Sequence, residues 1–213
     1  VDQFRWHAEE ARRIYGRIIE SRIPGGRFEV HHEPIGVVAA FTAWNFPALL
    51  IARKVAPALA AGCSVVLRPS SKTPGVAMIL VDCLRAGNLP NGTINLVIGP
   101  IANTYTPIMA SKSVRKLSLT GSTRVGQKMI RDSADTIKKI TMELGGNAPM
   151  IVFDDANLEA TLEAAVATKF ANCGQVCVTL DRIFVHEKLY SALVKGCAAR
   201  AKELILGEGL DPK

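Results

Sequence analysis

The 213 residues are 48% apolar and 21% charged, the composition of an ordinary globular chain, which argues against disorder. No apolar run reaches the roughly 18 residues of a membrane span, and the net charge of +7 comes from 26 Lys and Arg scattered in ones and twos, without the aromatic-interleaved basic stripe of a nucleic-acid surface. Five cysteines, at 63, 83, 173, 177 and 197, lie in apolar surroundings without CxxC or His spacing, which reads as reduced intracellular thiols and as no metal site.

The chain opens on Phe4, Trp6, Ala11, Ile14 and Ile18, an amphipathic pattern that predicts a first helix. SRIPGGRFEVHHEP, residues 21–34, then reads as a hairpin turned by glycine. Short runs rich in β-branched residues follow: IGVVAAFTA (35–43), SVVLR (64–68), TINLVI (93–98), RKLSLT (115–120) and KKITMEL (138–144). Helical stretches such as ALLIARKVAPALAAG and PGVAMILVDCLRAG stand between them, each closed by Gly. Strand and helix alternate about five times, so the fold class is α/β, with a parallel sheet covered by helices on both faces. A second unit is expected from residue 145, with a strand at APMIVF, a cap signal at Asp154, Asp155 and Asn157, a helix over 158–171, a strand at DRIFVHE and a last helix from Lys188. The chain lacks a starting Met and stops at LGEGLDPK before that unit is complete, so it reads as a fragment without its N-terminal and C-terminal parts.

Four stretches carry chemistry-bearing residues. In LSLTGSTRVG a strand ends at Thr120 and Gly121 and Gly126 frame the turn into a helix, which leaves backbone N–H groups and a positive helix end to meet an anion. The spacing is neither the GxGxxG fingerprint nor a P-loop, and such a turn serves structure as readily as binding. In AWNFP, Trp44 and Phe46 fit a core and Asn45 fits a turn, yet an Asn amide at a strand's carboxyl end also suits a developing oxyanion. In MELGGN, Glu143 precedes two glycines, as a helix-cap partner would, or as a partly buried general base approached by backbone. In FANCGQVCV, position 173 is expected to be helical and position 177 to lie beyond the Gly break, which makes Cys177 the better candidate for an exposed thiol, although a Cys is commonly a small buried hydrophobe.

Taken together, PIGVVAAFTAWNFPALLIARKVAPALAAGCSVVLRPSSKTP, LTGSTRVG, MELGGNAPMIVFDDAN and FANCGQVCV resemble, in order and spacing, the NAD(P)-dependent aldehyde dehydrogenase superfamily over nearly the whole chain. The resemblance implies a Rossmann-like cofactor-binding domain over 1–144, an oligomerisation hairpin at 21–32, and the beginning of a second α/β catalytic domain over 145–213. It implies Cys177 as nucleophile, Glu143 as general base, Asn45 as oxyanion donor and Lys54 beside the catalytic site, with Cys173 at a variable position. Cofactor contacts are implied for Thr42, Trp44, Arg68, Ser71, Gly121, Ser122, Gly126, Leu144 and Gly145, with NAD or NADP as the cofactor. The implied reaction adds the Cys177 thiolate to an aldehyde, passes hydride to nicotinamide and hydrolyses the thioester with water deprotonated by Glu143. A cytoplasmic homodimer or homotetramer is the implied setting.

Three positions depart from or refine that pattern. Where the family carries Lys and Glu in KPSE to hold the adenosine ribose, this chain has RPSS, so Arg68 and Ser71 stand at those places: with the carboxylate gone, Arg68 and Lys72 suit a ribose 2′-phosphate, and Arg68 equally suits the ribose hydroxyls of NAD. Arg53, eight residues beyond Asn45, shares a helix face with Leu49 and Leu50 and resembles the Arg of succinate-semialdehyde and lactaldehyde types, which implies a small carboxylated aldehyde first and a hydroxyaldehyde second; a surface Arg paired with an acid beyond residue 213 is the other reading. Glu143 argues against a CoA-acylating relative, and His7, His31, His32 and His186 form no recognisable Cys/His pair. A non-catalytic cofactor-binding protein of the same fold is the alternative of a different class.

Overall fold

The computed structural model describes residues 1–210 and divides into two units, Val1–Leu144 and Gly145–Lys213. Helix α1 (Asp2–Ala11) is shorter than its amphipathic pattern: Ile14 lies beyond it and Ile18 belongs to strand β1 (Arg17–Glu20). Gly16 stands at the entry to β1, where a side chain would collide with the Val30 carbonyl of strand β2 (Arg27–Val30). β1 and β2 pair antiparallel, Arg17 with Val30 and Glu20 with Arg27. The hairpin therefore spans 17–30, and residues 21–26 are its turn rather than its first strand.

Five parallel strands form the sheet of this unit, in the order β5 (Ile94–Leu96), β4 (Val65–Arg68), β3 (Val37–Phe41), β6 (Val114–Thr120), β7 (Lys139–Glu143). Their connections are helices α2 (Pro47–Ala60), α3 (Pro74–Ala86), α4 (Ile101–Ala110) and α5 (Thr123–Ser133). The left-handed residue that follows α2 is Gly62, at φ +73°, whereas after α3 it is Asn88, at φ +59°, and not Gly87. An Asn tolerates that conformation because its short polar side chain bonds locally. Pro107 punctuates α4, which explains why its sequence signals a helix weakly.

The period of two along β3 separates two cores. Val38 and Ala40 pack with Ile51, Val55, Val65, Leu67, Ala77 and Val81, while Ala39 and Phe41 pack with Ile108, Met109, Leu117, Leu119 and Met129. Ala39 and Ala40 are fully buried, and their small side chains let helices approach the central strand from both sides. Tyr105 of α4 meets Phe41 edge to face at 6.4 Å and donates to Asp132 of α5 at 2.5 Å, which ties those two helices on the second face.

The second unit is a βαβ arrangement: β8 (Ala148–Val152) pairs in parallel with β9 (Leu180–Val185), with α6 (Leu158–Phe170) between them and α7 (Glu187–Lys202) after. The Asn157 side chain caps α6 by accepting from the Ala160 N–H at 3.1 Å. Leu162 and Leu193 are buried between α6 and α7, and Gly196 leaves room for Leu162. Position 173 is not helical, contrary to expectation. Asn172, Cys173 and Gly174 all have left-handed backbones, at φ 49°, 57° and 75°. Residues 211–213, at the end of the expected catalytic domain, lie outside the described residues.

Candidate active site

In the first unit the chain runs outward from β3 through β4 to β5, then returns to the other side of β3 for β6 and β7. That reversal opens a crevice at the carboxyl ends of β3 and β6, where open α/β sheets bind ligands. Thr42, Trp44 and Asn45 follow β3, and Gly121 and Ser122 follow β6. Arg68 ends β4 opposite Phe41, and Glu143 ends β7 opposite Thr120. The turn after β6 is held by the Gly121 N–H, which donates to the Glu143 carbonyl at 3.0 Å, and by Ser122, whose hydroxyl accepts from the Val125 N–H to cap α5. Gly126 is buried because the Leu144 side chain fills the place of its Cβ.

Trp44 is exposed, not core, and the Lys72 ammonium lies 5.0 Å from its ring centre. Phe46 and Asn45 are half-buried. Arg68 donates through Nη2 to the Gly99 carbonyl at 3.2 Å, and Ser71 is exposed. Three buried polar atoms along this edge, Thr42 Oγ1, Arg68 Nε and Thr73 Oγ1, meet no protein partner. Unpaired buried polar atoms are rare unless a ligand or water completes them.

A second polar site lies on the α2 face of the sheet. Leu117 and Leu119 of β6 face the other core, so Lys116, Ser118 and Thr120 share the opposite face, and through strand register they lie beside Lys139, Thr141 and Glu143 of β7. Lys54 of α2 reaches into this stripe, 7% exposed, and donates to Ser118 Oγ at 3.0 Å. Burial pushes the Lys54 ammonium down to about 8, with the Glu143 carboxylate opposing and the Lys116 charge adding to the fall. Arg53 is exposed at the rim of a cavity of about 390 Å³ whose wall also holds Glu33, Lys54, Lys116, Ser118 and Thr141. Leu49 and Leu50 take no part in that wall. Glu143 is exposed rather than partly buried, because β7 is the edge strand. Sequence reasoning missed Ser118, Lys116 and Thr141, although alternate polar residues in two otherwise covered strands mark a polar face.

Lys54 binds fewer protons folded than unfolded between pH 8 and its ordinary value of 10.5, so its contribution to stability rises with pH across that window. Lys54→Met is expected to flatten the rise in chemical-denaturation stability between these limits. An unchanged slope in the variant would remove Lys54 as its source.

In the second unit both Cys173 and Cys177 are exposed, so accessibility does not choose between them. They differ in backbone: Cys173 is left-handed, whereas the main chain of Cys177 packs against Gly146 of the loop that leads into β8. Gly145 opens this unit and is exposed. Among the described residues no group of His, Cys, Asp and Glu is arranged to hold a metal ion, and no helix is long and apolar enough to cross a membrane.

Comparison with known proteins places these features in one context. The chain is 48% identical over 206 residues to a succinate semialdehyde dehydrogenase of Acinetobacter baylyi, covering 97% of this chain and 43% of that protein. It is 45% identical over 206 residues to the succinate-semialdehyde dehydrogenase [NADP(+)] of Escherichia coli, with the same coverage. The crystal structure of succinate-semialdehyde dehydrogenase from Burkholderia pseudomallei superposes with a TM-score of 0.96 at 47% identity, over 99% of this chain and 44% of that one. The chain thus spans less than half the length of these relatives. The profile of the aldehyde dehydrogenase family matches residues 1–213, and with the sheet order and the crevice residues this establishes that the chain belongs to that family.

Proposed function

We propose that the full-length protein oxidises a small carboxylated aldehyde, of the succinic semialdehyde kind, to the acid with NAD or NADP. The observation that carries this reading is the polar sheet face on which Lys54 donates to Ser118 and strand register sets Glu143 at the carboxyl end of β7, with Arg53 next to Lys54 on α2. In it, the Cys177 thiolate adds to the aldehyde carbon, and the Asn45 amide and the Cys177 N–H hold the oxygen as it gains charge. The nicotinamide, when bound, supplies the hydride acceptor. Glu143 then takes a proton from the water that attacks the thioester, which releases the acid and restores Cys177.

The residues along the crevice fit a dinucleotide. Thr42 Oγ1, Arg68 Nε and Thr73 Oγ1 are unpaired buried atoms, the capped end of α5 presents N–H groups to a pyrophosphate, and Ile101 and Val125 are exposed apolar side chains in the first turns of α4 and α5. Arg68, Ser71 and Lys72 leave no carboxylate to repel a 2′-phosphate, which supports NADP as a cofactor. The hairpin is proposed to serve self-association, because Ile18, Ile19 and Phe28 are exposed on its short strands. A full-length protein that stays tetrameric in size-exclusion chromatography without residues 17–30 would remove that role.

Kinetics of the full-length enzyme on succinic semialdehyde and propanal test the substrate assignment. A bidentate carboxylate contact of about 1.5 to 3 kcal/mol corresponds to roughly 10- to 150-fold. Arg53→Leu is therefore expected to raise KM for succinic semialdehyde by about that factor and to leave KM for propanal nearly unchanged. Equal effects on both substrates would take Arg53 out of the substrate site.

A further inference from the structure

The segment that carries Cys177 is held from two sides by residues with no reacting group. On one side stands Gly146, where a Cβ would lie 2.5 Å from the Cys177 carbonyl oxygen. Real Cβ atoms do not come so close, and the atom met is backbone, so any side chain at 146 must displace the main chain at 177. Gly146 itself has little freedom to retreat. The next residue, Asn147, accepts through its carbonyl from Arg182 Nη2 at 2.8 Å, and Ala148 is already paired with Leu180 in the β8/β9 ladder.

On the other side stands Thr179, which is buried. Its hydroxyl lies 3.1 Å from the Thr168 carbonyl and 3.4 Å from that of Lys169, both in the last turn of α6. Its N–H donates to the Val176 carbonyl at 3.2 Å and closes the turn that contains Cys177. The residues just before, Asn172 and Cys173, are left-handed without being glycine, at about 1 to 2 kcal/mol each. Such a backbone persists only where its surroundings impose it. The turn at 176–179 follows that segment directly and is tied to α6 through Thr179 and met at the Cys177 carbonyl by Gly146.

We propose that Gly146 and Thr179 are positioning residues that aim the Cys177 backbone N–H at the oxygen of the bound aldehyde. This rests on the reading of Cys177 as the nucleophile. It separates two properties of that residue. Alkylation of the thiol by a small reagent needs only an exposed, ionisable sulfur. Addition to an aldehyde that leads to hydride transfer also needs the N–H aligned on the new oxyanion, and loss of one such donor is costly.

The test uses the full-length enzyme with Gly146→Ala, Thr179→Val and Thr179→Ser. Three quantities are measured: NAD(P)H binding by fluorescence, the rate of iodoacetamide alkylation at Cys177 by peptide mass, and the single-turnover burst of NAD(P)H. A displacement approaching 1 Å at a reacting group costs about 100-fold, so the burst rate is expected to fall by about that factor in Gly146→Ala and by about 10-fold in Thr179→Val. Cofactor binding and alkylation are expected to stay within about 3-fold, and Thr179→Ser, which keeps the hydroxyl, is expected to restore the burst. An unchanged burst in folded Gly146→Ala overturns the proposal, as does a parallel fall of burst and alkylation. Should Gly146→Ala fail to fold, the Thr179 pair decides, and a wild-type burst in Thr179→Val overturns it. A burst that survives Cys177→Ala brings down the nucleophile reading itself, a result distinct from an unchanged burst in Gly146→Ala.

Discussion

Full-length enzyme carrying Cys177→Ala is expected to form no burst of NAD(P)H and to lose aldehyde oxidation by at least about 10⁴-fold, whereas Cys173→Ala retains most of both. Both thiols are exposed, so the contrast does not rest on access to solvent. It rests on their backbones. Cys177 sits in a turn braced by Gly146 and Thr179, a setting that holds one N–H and one sulfur in a fixed relation. Cys173 occupies a left-handed position that Ala adopts no less readily than Cys, so its replacement removes a sulfur and changes little else. Peptide mapping after limited alkylation identifies the sulfur whose loss tracks the burst. Equal loss of activity in the two variants would sink the assignment of the nucleophile.

The sheet was readable from residues because a strand covered on both faces must be apolar along its length, and runs such as VVAAF and VVLR admit no other element at that spacing. The boundaries of the first helix and of the hairpin were not. Ile14 and Ile18 continue a helical period, and nothing local in the sequence says that Gly16 must press against a carbonyl fourteen residues later. The left-handed backbone at Cys173 was equally hidden, since the residue before Gly174 carries no local signal for it. Asn45, Glu143 and Cys177 were named on the resemblance of their motifs to the family, whereas Ser118 and Thr141 emerged only when strand register paired them on the face that Lys54 reaches. Their signal was present as two polar residues inside apolar strands, but a single polar residue in a strand has no address until its neighbour is known.

For Glu143→Gln the expected result is a burst of NAD(P)H close to one per active site, followed by turnover slower by about 10² to 10⁴-fold, the usual worth of a general base. Gln has the size of Glu and keeps β7 intact, including its main-chain pairing with Thr120 and the contact of the Glu143 carbonyl with the Gly121 N–H. What it loses is the capacity to accept a proton. Hydride leaves the thiohemiacetal without that capacity, but water attacks the thioester only as its proton is removed, so the acyl group accumulates on Cys177. The face that Glu143 shares with Lys54 sharpens the prediction. A second variant, Lys54→Met, removes the buried ammonium that donates to Ser118 on that face but leaves the carboxylate in place, so it is expected to slow deacylation less than Glu143→Gln does. Rapid-quench mass spectrometry detects the acyl-enzyme directly. Normal steady-state turnover in Glu143→Gln would make the residue structural, and disappearance of the burst would instead assign it to deprotonating the Cys177 thiol.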